Sequence, residues 1–304
     1  MLTTLCFKGR LTEWKKQTTM GKKQNSDKGR FIHNTAQDDL RSRFRYRLKD
    51  FDLSAPDSKL DYTRKVFSVV AVRYDVITRL LSFGRDGRWK QIMLSRLPKD
   101  SAREHPDVPH TLAEAASSPH LFACLDLACG TGDISRLLAL RYSRGTVDAV
   151  DLNPEMLRRA RARADLANIR FHQVNMNELP FDDASYDIVT GGYALRNSPH
   201  LATTFREIYR VLKPGGTAAF LEFSTSHVPR LRSIQLRLLG AWGGFWGWMF
   251  HRNPEVYSYI AKSLSYYPDS VELPRMMTGI GFRRVHQKRL LLGMLALTFA
   301  QKGK

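Results

Sequence analysis

The sequence predicts an α/β fold: a mostly parallel seven-stranded sheet with helices on both faces and an antiparallel hairpin at its carboxyl end. Three observations predict it. From 121 to 224, short apolar runs of strand length alternate with helical stretches, the order that produces parallel strands joined by crossover helices. The first of these runs leads through a glycine-containing loop, 128–132, into a helix. The last two apolar runs, 282–288 and 294–301, have only a short turn between them. That leaves no room for a crossover, so they pair as a hairpin.

In chain order, residues 1–58 stand apart. They are rich in Lys, Thr, Asn and Gln and poor in aliphatic side chains, so they bury too little apolar surface to offset their ordering entropy. They read as a basic, disordered extension, with the folded domain spanning 59–304. Eight basic residues against Glu13 and Asp27 in the first thirty also permit a mitochondrial presequence, although Lys outnumbers Arg there and Ser is scarce. From Tyr62 the pattern turns helical, with Val66, Phe67, Val70, Tyr74, Ile77, Leu80 and Leu81 at three- and four-residue steps. A polar, proline-bearing stretch at 98–119 reads as a linker or exposed insertion. Strands are then expected at 121–127, 146–152, 169–174, 187–193 and 217–224, with helices at 133–141, 154–166 and 202–212. Lys213-Pro214-Gly215-Gly216 stops the last of these helices.

Composition closes off other classes. Cys6, Cys124 and Cys129 include no C-x-x-C pair, which argues against a disulfide scaffold or zinc module. A reduced, cytoplasmic setting follows, with the matrix side of the mitochondrial inner membrane as the alternative. The histidines are scattered, so no metal site is expected. The longest apolar runs, 238–250 and 290–300, fall short of the roughly twenty residues that span a bilayer. The net charge of +19 is uneven: residues 121–225 carry 12 basic and 12 acidic side chains, whereas 226–304 carry 12 against 3. A neutral centre gives no sign of nucleic-acid binding. The basic flanks suit a solvated face, an anionic lipid surface or a biosynthetic complex.

The chemistry concentrates in Leu125-Asp126-Leu127-Ala128-Cys129-Gly130-Thr131-Gly132-Asp133. A buried strand there opens, through glycines that allow close backbone approach, onto a helix amino end with unpaired N–H groups. A dinucleotide fingerprint needs a further glycine at position 135, which is Ser135. Asp151 ends the next strand, where a carboxylate accepts both hydroxyls of a ribose; a helix cap is its plainer role. Asn175-Met176-Asn177 follows the third strand, either as a loop turn or as an amide and a soft side chain flanking an adenine.

With Val150-Asp151-Leu152-Asn153-Pro154-Glu155-Met156-Leu157 and Glu178-Leu179-Pro180-Phe181, these residues resemble a class I S-adenosylmethionine-dependent methyltransferase with its Rossmann-like fold. Further blocks resemble the ubiquinone/menaquinone-biosynthesis C-methyltransferases. They are Val66-Phe67-Ser68 with Ala71 and Tyr74-Asp75, Ala194-Leu195-Arg196-Asn197, Tyr209 to Gly216, Leu221-Glu222-Phe223-Ser224, and Tyr259-Ile260-Ala261 with Tyr267-Pro268. Together they run in order over residues 62–304.

The resemblance implies S-adenosyl-L-methionine as cofactor, held by Asp126, Gly130, Thr131, Gly132, Asp151, Asn175 and Met176. Thr131 matches a position at the methionine end. Gly192 stands where the family often has Ser, leaving backbone contact alone. Arg196 and Asn197 match the pair facing a quinol ring, and Tyr74 and Trp246 are expected against the acceptor. The implied activity is C-methylation of a quinol-like aromatic or related enolisable metabolite. O- or N-methylation of a small metabolite, RNA methylation and a noncatalytic subunit are the alternatives. Two departures stand out: the 98–119 stretch, and the aromatic run 238–250, with Trp242, Phe245, Trp246 and Trp248. That run lies in the acceptor-covering region, 226–268, as a packed lid or a membrane-facing segment.

Overall fold

The computed structural model describes residues 47–99 and 121–304. Residues 1–46 of the expected extension lie outside the described residues, as does the expected linker beyond its first two. The helices are α1 (Pro56–Val70), α2 (Tyr74–Leu81), α3 (Asp86–Ser95), α4 (Asp133–Arg141), α5 (Pro154–Arg163), α6 (Leu201–Val211), α7 (Pro229–His251), α8 (Glu255–Ser265) and α9 (Glu272–Ile280). The strands are β1 (Ala123–Leu127), β2 (Thr146–Asp151), β3 (Ile169–Gln173), β4 (Tyr186–Gly192), β5 (Leu212–Phe223), β6 (Phe282–Leu290) and β7 (Leu295–Lys302).

The seven strands form one sheet in the order β3-β2-β1-β4-β5-β7-β6. β1 pairs in parallel with β2 on one side and β4 on the other, and β7 runs antiparallel between β5 and β6. The strand order therefore reverses at β1. In open sheets of this kind, the crevice beyond the carboxyl ends at such a reversal receives ligands. Those ends here are Leu127, Asp151 and Gly192. The inner strands are buried on both faces, as their unbroken apolar runs require: Leu125, Leu127, Val147, Ile188 and Val189 have no exposure.

One expectation fails: the packed body does not start at 59. Leu53 is buried with Tyr62 and Tyr259, Phe51 meets Tyr62 edge-on at 5.0 Å, and the Leu48 amide donates to the Glu255 carboxylate. A short apolar cluster this far from its partner on α8 leaves no periodic trace.

The aromatic run, expected as a packed lid or a membrane-facing segment, lies within one 23-residue helix, α7. Glycine opposes helix formation by about 1 kcal/mol per residue, so Gly240, Gly243, Gly244 and Gly247 argue locally against it. Packing overrides this. A Cβ on Gly243 would stand 2.5 Å from the Tyr257 carbonyl oxygen, and one on Gly247 2.6 Å from that of Asn253. The glycine face lets the α7 backbone lie directly on α8 and its preceding turn.

Two expected outcomes follow from this packing. Gly243→Ala raises helix propensity yet lowers stability by about 1–3 kcal/mol through overpacking. Gly240→Ala, whose Cβ would meet Ala261 at an ordinary 3.5 Å, costs little or stabilises; thermal denaturation of the pair checks it. Leu53→Ala costs about 2–5 kcal/mol in the same measurement, whereas a true disordered extension would tolerate it.

Candidate functional site

The glycine loop is fixed from two sides. The Cys129 amide donates to the Val150 carbonyl at 2.9 Å, and the Gly130 amide to Asp151 Oδ2 at 2.9 Å. Gly132 enters α4 with φ of 86°, the left-handed region that a side chain resists. The second Asp151 oxygen accepts the Asn153 amide at 2.8 Å. Burial pushes the Asp151 carboxyl up to about 6, against the pull of these amide hydrogen bonds. Capping of α5 is done not by Asp151 but by Asn153, whose side-chain oxygen accepts from the Glu155 and Met156 amides. The carboxylate, positioned by backbone alone, keeps lone pairs for a ligand.

A cavity of about 730 Å³, counting its mouth, opens at this point. Gly130, Asp151, Asn175, Met176 and Gly192 line it, as expected from the sequence, and so does Tyr74. Leu152, Met156, Val174 and Met176 give it apolar walls for a flat ring, beside a carboxylate suited to a diol. This donor and acceptor set fits a nucleoside. A Cβ on Gly192 would lie 2.7 Å from Cδ1 of Ile134, the far end of a side chain that can shift to admit it.

Three expected cofactor residues do not line the cavity. Asp126 is wholly buried, its oxygens accepting from Ser135 (2.6 Å) and Thr190 (2.9 Å), and burial pushes its carboxyl up to about 6. Thr131 turns its hydroxyl to Asp75 at 2.8 Å. Gly132 backs onto Ala160. These three shape the loop from behind. Conversely, Leu60, Thr63, Arg64 and Phe67 of α1 line the cavity. The apolar spacing of that helix resembles a core-facing one, which hid them.

A second, apolar cavity of about 530 Å³ adjoins the first, and Phe67, Tyr74 and Tyr193 line both. Arg196 lines the second cavity. Its Nη1 donates to Glu222 Oε1 (2.7 Å) and to the Tyr193 carbonyl (2.9 Å). Its buried Nε has no partner among the described residues. An ion pair and an unused donor thus coexist in one guanidinium. Asn197 departs from its expected place beside Arg196: it lines the nucleoside-shaped cavity instead. Its Oδ1 accepts from the Tyr259 hydroxyl (2.5 Å) and its Nδ2 donates to the Tyr193 carbonyl (3.2 Å). Trp246 lines neither cavity. It is held among Trp242, Phe245 and Phe250, at 5.0–5.6 Å between ring centroids. The reason is the glycine face of α7, which occupies the side toward α8. Val256, Tyr257, Tyr259 and Ile260 of α8 form the wall expected from the aromatic run.

Polar clamps hold α2 and α3 over the loop. Lys90 bridges Asp86 (2.6 Å) and Asp133 (3.0 Å), Tyr193 donates to Asp86, and Arg163 reaches both Asp75 and Asp133. The Tyr74 ring thereby sits 3.7 Å from where a Gly130 Cβ would be.

The sequence model of the ubiE/COQ5 methyltransferase family matches residues 55–302. The ubiquinone/menaquinone biosynthesis C-methyltransferase UbiE of Shewanella frigidimarina is 32% identical over 250 residues, covering 79% of this chain and 90% of that one. The UbiE of Methylococcus capsulatus is 34% identical over 244 residues, covering 79% and 91%. Among solved structures, the complex of the Haloferax volcanii Trm112 methyltransferase activator with a methyltransferase aligns with a TM-score of 0.53 at 19% identity, over 78% of this chain and 98% of that one. That likeness speaks for the fold.

If Asp151 must be ionised to accept ligand hydroxyls, S-adenosylmethionine affinity is full above about pH 6 and falls about tenfold per unit below it. Calorimetry across pH 5–8 checks this. Asp151→Asn is expected to flatten the pH profile and to weaken binding at pH 8 by about 1.5–3 kcal/mol.

Proposed function

Because this chain belongs to the ubiE/COQ5 methyltransferase family, we propose that it transfers a methyl group from S-adenosylmethionine to a ring carbon of a quinol-like aromatic. One observation carries the reading: a nucleoside-shaped cavity and an apolar cavity share the walls formed by Phe67, Tyr74 and Tyr193. The UbiE relatives, named as ubiquinone/menaquinone biosynthesis C-methyltransferases, point to the same acceptor class.

The cofactor, when bound, supplies an electrophilic methyl on a sulfonium. Asp151 takes the ribose hydroxyls, Asn175 and Met176 flank the base, and the Gly130 backbone lets the chain approach closely. The apolar cavity takes the acceptor ring, with Arg196 at its polar end. Arg196 favours ionisation of a ring hydroxyl set against it, whose proton leaves to solvent. The charge delocalises onto the ring carbon that attacks, and that carbon then loses its own proton to restore the aromatic ring. Glu222 keeps the guanidinium tolerable in the interior, since an unpaired buried cation is costly. Asn197, tied to Tyr259 and Tyr193, is a positioning residue that ties the Arg196 turn to α8. Holding carbon and methyl in line supplies most of the rate, an effect worth about 7–11 kcal/mol in well-oriented systems.

The test is incubation of the full chain with methyl-labelled S-adenosylmethionine and a panel of quinols, small phenols, amines and RNA. Label on a quinol ring carbon is the expected outcome; label on oxygen, nitrogen or RNA overturns the reading. Arg196→Lys keeps the charge beside Glu222 but loses the planar donor set. It is expected to lower kcat about 10²-fold while leaving cofactor affinity within about twofold.

A further inference from the structure

Among the described residues, the outer face of α7 has no partner. Leu231, Ile234, Leu238, Phe245, Trp248 and Met249 are all at least 45% exposed, and their spacing puts them on a single arc of the helix opposite the glycine face. The arc continues onto the neighbouring helix. Phe83, exposed just past α2, stacks on Trp242 at 5.0 Å, and Val76 of α2 and Val72 before it are also exposed. Scattered exposed apolar residues are ordinary, but a contiguous set of this size marks an interaction surface.

Charge decides what covers it. The 23 residues of α7 contain no Asp or Glu, while Arg230 and Arg237 border the apolar arc and Arg252 closes its end. Arg73, Arg79 and Arg85 are exposed on the α2 side. A second copy of this chain would set these arginines against their own counterparts. A helix with an apolar arc, a cationic edge and Trp near its end suits the headgroup region of an anionic bilayer, lying in its plane. No helix among the described residues, α7 included, is long and apolar enough to cross a membrane. Part of the carboxyl-terminal basic excess lies elsewhere: Arg283, Arg284, Lys288 and Arg289 are on the edge strand β6.

We propose that α7 and the adjoining α2 form a reversible docking face for an anionic lipid bilayer. The purpose of docking rests on the quinol reading, because an acceptor with a long apolar tail partitions into the membrane. The cavity that would take its ring is walled by α2 (Ile77, Thr78, Leu81) and by α8, on which α7 packs. Docking therefore brings the membrane beside the elements that enclose the acceptor.

Vesicle sedimentation of the full chain, without cofactor or acceptor, tests the surface apart from the chemistry. Binding to phosphatidylserine-containing vesicles at low salt, release at high salt and little binding to pure phosphatidylcholine are expected. Each basic residue near an anionic leaflet contributes about fivefold to partitioning. Arg230→Glu with Arg237→Glu is thus expected to weaken binding more than tenfold, as is Leu238→Glu with Phe245→Glu, at unchanged melting temperature. Retention of the wild-type chain in the supernatant at low salt overturns the proposal. So does undiminished binding of the Leu238/Phe245 variant. A dimer in sedimentation velocity that this variant dissolves, with no vesicle binding, assigns the face to a second copy instead. In activity assays the variant is expected to raise KM for a tailed quinol in vesicles but not for a tailless soluble analogue. Loss of both would trace to the catalytic reading rather than to docking.

Discussion

Lys90 is the pin on which the site hangs. It is buried between the carboxylates of Asp86 and Asp133, one on α3 and the other opening α4. Burial alone would lower its pKa, but the two carboxylates outweigh it and raise it above the usual lysine range. Removing one member of such a group strands the others in low dielectric, at about 3–5 kcal/mol. The same Asp86 takes the Tyr193 hydroxyl, and Asp133 also takes Arg163, which in turn holds Asp75 against Thr131. One contiguous polar network thus fastens the amino-terminal helices to the glycine loop. Both cavities are roofed by those helices and form no enclosure without them.

The parts of the site readable in the sequence are those fixed by short-range geometry. Gly130 and Asp151 sit at strand ends whose lengths the apolar runs reveal, so their convergence beyond the sheet follows from parallel topology alone. Asp126 defeats the same logic. It lies one residue inside its strand end, and that residue turns its side chain into the interior, toward Ser135 and Thr190. Arg196 and Asn197 are neighbours in sequence yet face different cavities. They belong to a 3₁₀ turn, Leu195–Asn197, in which successive side chains diverge by about a third of a revolution. A linear motif matches both residues without resolving that divergence.

The aromatic run shows the opposite limit. Glycines and tryptophans in alternation look alike whether the chain is a loose lid or a helix with one smooth face. Only the approach of Tyr257 and Asn253 carbonyls, on a separate element, distinguishes them. Trp246, which composition alone places against the acceptor, lines neither cavity because it is held among the other rings of α7. The same non-local dependence hid Leu53 and Phe51, whose partner Tyr259 lies some two hundred positions away.

The two cavities overlap in three aromatic side chains and otherwise have separate linings, one with a carboxylate and amides, the other almost entirely hydrocarbon. On the proposed reading, a water-loving reactant and an oily one each keep to their own cavity and adjoin only at Phe67, Tyr74 and Tyr193. The fold behaves as a small phase boundary, with chemistry confined to the line where the phases touch.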